Sequence, residues 1–187
     1  AYGDVKQRIK LRQIFTLREM MMFALSERAQ DFIARTQAFI QQEIEPIEKA
    51  FWDEVHQLNV DGDWTKWQWP AQLEQLKTKA KAAGLWNMFL PDAELGAGLS
   101  VQEYAHIAEL TGRSLLAPTV FNCNAPDSGN MEVLWRYGSD EQKRQWLHPL
   151  LAGQIRSVFC MTEPAVASSD ATNMQATAVI DGDEIVL

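Results

Sequence analysis

The chain has 187 residues, 47% hydrophobic and 22% charged, enough for one domain or for one domain with part of another. Lys and Arg number 17 against 25 Asp and Glu, a formal net charge of −8. That balance argues against non-specific binding to nucleic acid or an anionic membrane, and no apolar run is long enough to span a bilayer.

Residues 1–25 mix Lys6, Arg8, Lys10, Arg12 and Arg18 with Ile9, Leu11, Ile14, Phe15 and the run Met20 to Phe23. Asp4 and Glu19 interrupt the pattern and no small-residue cleavage site follows, so the stretch reads as an extension or linker. Ser26 is placed to cap a helix, and Phe32, Phe39, Ile40, Ile44, Ile47 and Phe51 recur at helical spacing. Pro46 should kink or split that helix. The stretch Asn59 to Trp69 reads as a loop that Trp64, Trp67 and Trp69 pack against the helices. Pro70 opens a second helix with Leu73, Leu76 and Ala80 on one face, stopped by Gly84.

Ser100-Val-Gln-Glu103 is a capping box whose helix continues through Tyr104, Ala108 and Thr111. Residues 114–128, with Pro118 and Pro126, form an irregular connection. A helix from about Met131 to Tyr137 ends at Gly138. Ser139-Asp-Glu-Gln142 is a second capping box, opening a helix through Trp146, Leu147 and Leu150 to Gly153. After Gly153 the period changes. Ser157 to Met161 reads as a strand, and Ala176 to Ile180, Asp181-Gly182-Asp183 and Glu184 to Leu187 as a hairpin. The fold class is therefore mainly α: an extension at 1–25, a helical domain at 26–155, and the first strands of a second domain at 156–187.

Several motifs carry no chemistry. Gly96-Ala97-Gly98 lacks the third glycine and the preceding strand of a dinucleotide fingerprint. His56, His106 and His148 are dispersed, without partners at metal-ligand spacing. Glu43, Glu45 and Glu48 point different ways on a helix, and Trp135 and Trp146 read as core residues. Cys123 and Cys160 are too few for a disulfide framework, and Cys160, in the apolar strand, reads as a buried free thiol that fits a reducing compartment.

The informative segment is Phe159-Cys160-Met161-Thr162-Glu163-Pro164-Ala165-Val166-Ala167-Ser168-Ser169-Asp170. Pro164 ends the strand, and a loop of small and hydroxyl residues follows. Its backbone N–H groups and hydroxyls suit phosphate or a polar ring edge. The alternative from these residues alone is a strand end with a capped turn.

This segment resembles the flavin-binding signature of the acyl-CoA dehydrogenases, one residue longer between Pro164 and Ser169 than the commonest form and with Ala and Val replacing its glycines. Other segments agree with the family in order: Gly84-Leu-Trp-Asn-Met-Phe-Leu-Pro91, Tyr137 to Lys143, and Trp146 to Gly153. Asn122-Cys-Asn-Ala-Pro-Asp-Ser-Gly-Asn-Met-Glu132 is similar to the subgroup of acyl-CoA dehydrogenase family members 10 and 11.

The resemblance implies an N-terminal helical-bundle domain, a β-barrel-like middle domain begun here, and a C-terminal helical domain. It implies FAD, a fatty acyl-CoA substrate, α,β-dehydrogenation to the trans-2-enoyl-CoA, an electron-transfer flavoprotein as acceptor, and a homodimer or homotetramer. The setting would be cytoplasmic in a bacterium, mitochondrial or peroxisomal in a eukaryote. By resemblance, Thr162 bonds the isoalloxazine edge, Phe159, Cys160 and Met161 border the cofactor, and Ser168 and Ser169 meet pyrophosphate or acyl-CoA, Ser169 being the better match to the family serine. No catalytic residue and no metal ligand is expected in this chain. The catalytic carboxylate would lie in the C-terminal domain, so the chain reads as an N-terminal fragment unable to run the reaction alone. The rival readings are a flavin oxidase or monooxygenase on the same scaffold, such as acyl-CoA oxidase or nitroalkane oxidase, and a helical interaction module without catalysis.

Overall fold

A computed structural model of the chain describes residues 24–167 and 169–187. Residues 1–23 and Ser168 fall outside the described residues, so the expectation of an extension is described only for Ala24 and Leu25. Backbone contacts divide the chain into two compact units, one ending at Ser128 and one running from Gly129.

In the first unit, helix α1 spans Glu27–Phe39 and buries Ala29, Phe32, Thr36 and Phe39, the three-and-four spacing of a single face. A π-helical segment, Ile40–Ile44, joins it to α2 at Glu45–Leu58. The sequence placed a kink at Pro46, and the π segment is its form. Proline has no N–H and crowds the carbonyl four residues back, so the Glu45 N–H reaches five residues back to Ile40 O.

Helix α3 spans Gln72–Ala82 and buries Leu73, Leu76 and Ala80. Gly84 follows with φ +65°, the left-handed turn that glycine makes without strain. Helix α4, Val101–Thr111, carries the expected capping box: the Ser100 hydroxyl accepts from Glu103 N–H while the Glu103 carboxylate accepts from Ser100 N–H. A short helix α5, Ala117–Val120, lies inside the stretch read as irregular. The Ser114 hydroxyl starts it by accepting from the Leu116 and Ala117 amides.

These helices enclose a core of Phe51, Phe121, Ile44, Leu85, Met88 and Ile107, with Phe39 edge-on to Phe121 at 5.3 Å. Asn87 and Asn122 are buried beside it, both with left-handed backbone, φ 53° and 54°. Asn122 Nδ2 donates to Asn87 Oδ1 at 2.8 Å, and Asn87 N–H donates to Phe121 O at 3.1 Å. Asparagine tolerates that backbone better than most residues, and each amide meets the other's buried polar need.

The 59–69 loop is tied by Asn59, which donates to Val55 O and Gln68 O and accepts from Gln68 N–H. Trp69 stacks on Phe51 at 6.2 Å. Trp64, expected to pack inward, is instead 82% exposed, because the 3₁₀ turn Trp64–Lys66, capped by Asp63, turns it outward.

Helix α6, Asp127–Tyr137, starts earlier than its periodicity suggested. The second capping box is present: the Ser139 hydroxyl accepts from Gln142 N–H, opening α7 at Asp140–Gln142. A second π segment, Lys143–Leu147, leads to α8 at His148–Ala152. It too ends two residues before a proline, Pro149, and His148 N–H reaches back to Lys143 O. Gly153 closes the run with φ +72°. Trp146, read as core, is 47% exposed, while Met131 and Leu147 are buried.

Two β expectations are corrected. The hairpin is shorter than its pattern, β1 at Val179–Asp181 and β2 at Glu184–Val186, antiparallel with Ile180 opposite Ile185 and Gly182 in the turn. Residues 157–161 form no ladder: among the described residues the sheet holds only β1 and β2. Cys160 is consequently exposed rather than buried. Among the described residues no helix is long and apolar enough to cross a membrane.

Candidate cofactor site

The segment that carries the flavin resemblance leaves α8 through Gly153 and is anchored at its entry by Asn130 of α6. Asn130 Nδ2 donates to Ser157 Oγ at 2.8 Å and to Val158 O at 3.3 Å. Beside that entry lies a groove of about 560 Å³, walled by Val133, Leu134, Trp146, Leu150, Ile155 and Val158. Val133 and Leu134 of α6 face Trp146 and Leu150 across it, and Asn130, Arg156 and Ser157 complete the lining.

Beyond the anchor the predicted site residues follow one another on a single exposed run. Phe159, Cys160 and Thr162 are exposed, and Met161 is half-buried. Ser169 is exposed in the turn before Asp170. The Thr162 and Ser169 hydroxyls are therefore on the surface, and Ala165 and Ala167 between them put no bulk over the backbone. Such a run fits a ligand that needs hydroxyl and main-chain donors at close range, as a flavin edge or a pyrophosphate does.

Two residues that the sequence reading gave no site role hold this run. Glu163 accepts the Gln175 N–H at both carboxylate oxygens, 3.2 and 3.1 Å, and the Ala176 N–H at 3.1 Å. It thus closes the loop that carries Ser169. Asp170 Oδ1 accepts the Thr172 hydroxyl at 2.7 Å and the Thr172 N–H at 3.0 Å, setting up the 3₁₀ turn Ala171–Asn173. Those bonds, the hydroxyl first, hold the Asp170 carboxyl below its ordinary range. The Asp-x-Thr spacing was a readable signal for Asp170. For Glu163 the signal was the following proline, which keeps residue 163 extended and frees its side chain to reach across the loop.

Elsewhere, burial raises Tyr104 well above the ordinary phenol value and pushes the Cys123 thiol up to about 11, a protonated and unreactive state. Among the described residues no group of three His, Cys, Asp or Glu could hold a metal ion.

Residues 26–154 match the family model "Acyl-CoA dehydrogenase, N-terminal domain". The chain is 51% identical over 166 residues to acyl-CoA dehydrogenase family member 11 of Rattus norvegicus, covering 89% of this chain and 21% of the relative. It is 48% identical over 168 residues to a Mycobacterium tuberculosis protein named probable acyl-CoA dehydrogenase FadE2, covering 89% of this chain and 40% of that one. A solved structure from Mycobacterium abscessus, described as "a putative acyl-CoA dehydrogenase", superposes with a TM-score of 0.78 at 61% identity, over 87% of this chain and 40% of the other. The chain belongs to the acyl-CoA dehydrogenase family, in agreement with the mainly α fold and the order of its motifs. It spans between a fifth and two fifths of the length of these relatives.

Proposed function

We propose that these residues are the N-terminal part of a flavin-dependent acyl-CoA dehydrogenase that converts a fatty acyl-CoA to its trans-2-enoyl-CoA. One observation carries the reading: the family match over residues 26–154 is followed by a run of small and hydroxyl residues in which Thr162 and Ser169 are exposed. In this proposal residues 26–155 are the helical domain and residue 156 begins a middle β domain.

FAD is the proposed cofactor, and when bound it supplies the acceptor for the hydride leaving the substrate β-carbon. Thr162 donates from its hydroxyl and backbone to the polar ring edge, where a donor stabilises charge that builds up on reduction. Phe159, Cys160 and Met161 border the ring. Ser169 bonds pyrophosphate or the acyl-CoA, and Ser168 is its proposed neighbour there. The carboxylate that removes the α-proton is proposed to lie outside these 187 residues, with an electron-transfer flavoprotein as acceptor and a homodimer or homotetramer as the assembly.

The test is to purify the longest encoded protein containing this chain, measure its flavin content, and identify the product formed from a series of acyl-CoAs. Bound flavin with trans-2-enoyl-CoA as product supports the proposal. Hydrogen peroxide released in step with product points to the oxidase reading, and a flavin-free protein points to an interaction module.

A further inference from the structure

We infer that Glu163 is a positioning residue for the bound dinucleotide: its carboxylate clamps the Ser169 loop in the shape that presents Thr162 and Ser169 to the flavin and its pyrophosphate. This rests on the functional proposal above, which leaves Glu163 without a role.

The geometry is that of a built clasp. Thr162 and Glu163 are adjacent, so a force that fixes one backbone fixes the other. Pro164 locks its own φ and biases Glu163 toward extended backbone, so the Glu163 side chain leaves the main chain sideways. Its two oxygens accept three contacts from two successive amides, Gln175 and Ala176, 12 and 13 residues further on. Those amides lie just before β1, so the clasp joins the exit of Thr162 to the approach of the hairpin. The turn between is stiffened separately by Asp170 on Thr172.

A loop of Ala, Val and Ser has no apolar core of its own to hold it. The bulky flanking residue Phe159 is 67% exposed. Polar contacts hold the loop instead: those of the two carboxylates, with backbone bonds from Asp170 N–H to Ala167 O at 3.3 Å and from Asn173 N–H to Asp170 O at 2.9 Å. Charge matters as well as reach. Oε1 accepts from both amides and Oε2 adds a second contact to Gln175, so a Gln amide keeps the shared acceptor but loses the charge and the second contact. An Asp is one methylene shorter and loses the span. The clasp therefore predicts a graded series, with Gln intermediate and Asp and Ala worst.

The experiment uses the longest encoded protein, as wild type and as Glu163→Gln, Glu163→Asp and Glu163→Ala. Backbone amide exchange of Gln175 and Ala176 reads the clasp without any cofactor. FAD affinity of the apoprotein and the reduction potential of bound flavin read the consequence for the site, and the melting temperature reads global stability. The expected result is protection at 175 and 176 in the wild type, partly lost in the Gln variant and lost in the Ala variant. FAD affinity should fall about 3-fold for Gln and about 10-fold or more for Ala, with a shifted flavin potential and an unchanged melting temperature. Exchange at 175 and 176 that is the same in all four proteins overturns the clasp. Faster exchange with unchanged FAD affinity and potential overturns the positioning role. A variant that melts early together with weaker FAD binding overturns it too, unless the Gln variant melts normally and still binds FAD more weakly. A wild-type protein that binds no FAD overturns the functional proposal and the cofactor half of this inference together, while the exchange data still stand or fall on their own.

Discussion

One carboxylate caps two helices: Glu103 Oε1 accepts the Ser26 hydroxyl at 2.6 Å while Glu103 Oε2 accepts the Ser100 N–H at 2.9 Å. Ser26 opens α1 and Ser100 opens α4, so helices 77 residues apart in sequence share one anchor. The Ser26 hydroxyl still accepts from Ala29 N–H at 3.1 Å, completing its own cap.

This anchor should make stability acid-sensitive. The Ser26 hydroxyl, then the Ser100 backbone and hydroxyl, lower the Glu103 pKa from 4.5 to about 2. A depressed folded pKa means the unfolded chain binds the proton more readily, so the contribution is full above about pH 4.5 and is lost as pH falls toward 2. Glu103→Gln should therefore melt below wild type at about pH 6, with the gap closing between pH 4.5 and 2. The side chain is exposed, so the gap is modest. A gap of constant size from about pH 6 to about pH 2.5 would count against the shared cap.

Asn87→Ala should be the costliest polar change in the first unit. It forces alanine into a left-handed backbone and removes the buried acceptor to which Asn122 Nδ2 donates at 2.8 Å. The two effects sum to about 2–4 kcal/mol. Urea denaturation measures it, and a loss below about 1 kcal/mol would show that neither constraint operates.

Phe51→Ala should cost about 3–5 kcal/mol, because Phe51 is fully buried and also supports Trp69 at the base of the tryptophan loop. Trp fluorescence should shift with the unfolding transition. A small loss with an unchanged spectrum would mean that the loop packs by other contacts.

Thr162→Val in the longest encoded protein keeps shape and removes the hydroxyl. It should weaken FAD binding or slow turnover about 10- to 150-fold, the range of one hydrogen bond to a charged group. Unchanged flavin content and unchanged rates would remove Thr162 from the site.

Legibility in the sequence tracked the range of the forces involved. Ser100 and Ser139 were readable because a capping box is complete within four residues. Leu73, Leu76 and Ala80 were readable because their spacing alone makes a face. The Pro46 break was legible as a position but not as a π segment, since that form depends on which carbonyl the Glu45 amide reaches. Trp64 and Trp146 were misread because helical or loop context does not say which side meets a neighbour. Ser157–Met161 has strand composition, yet a strand needs a partner that local pattern cannot supply. The Ser26–Glu103 contact was invisible for the same reason, being made by residues 77 apart in sequence, and at Glu163 the following proline marks a side chain free to reach but not the Gln175 amide it meets.

The most direct measurement is an anaerobic titration of the longest encoded protein with a fatty acyl-CoA, following the absorbance of its flavin, with the isolated 187 residues run in parallel. The long protein should be yellow and bleach in proportion to added substrate, while the isolated chain keeps its helical circular dichroism but binds little FAD and does not bleach. A colourless long protein, or one whose flavin ignores acyl-CoA, would contradict a dehydrogenase. Bleaching by the 187 residues alone would place the α-proton base inside this chain.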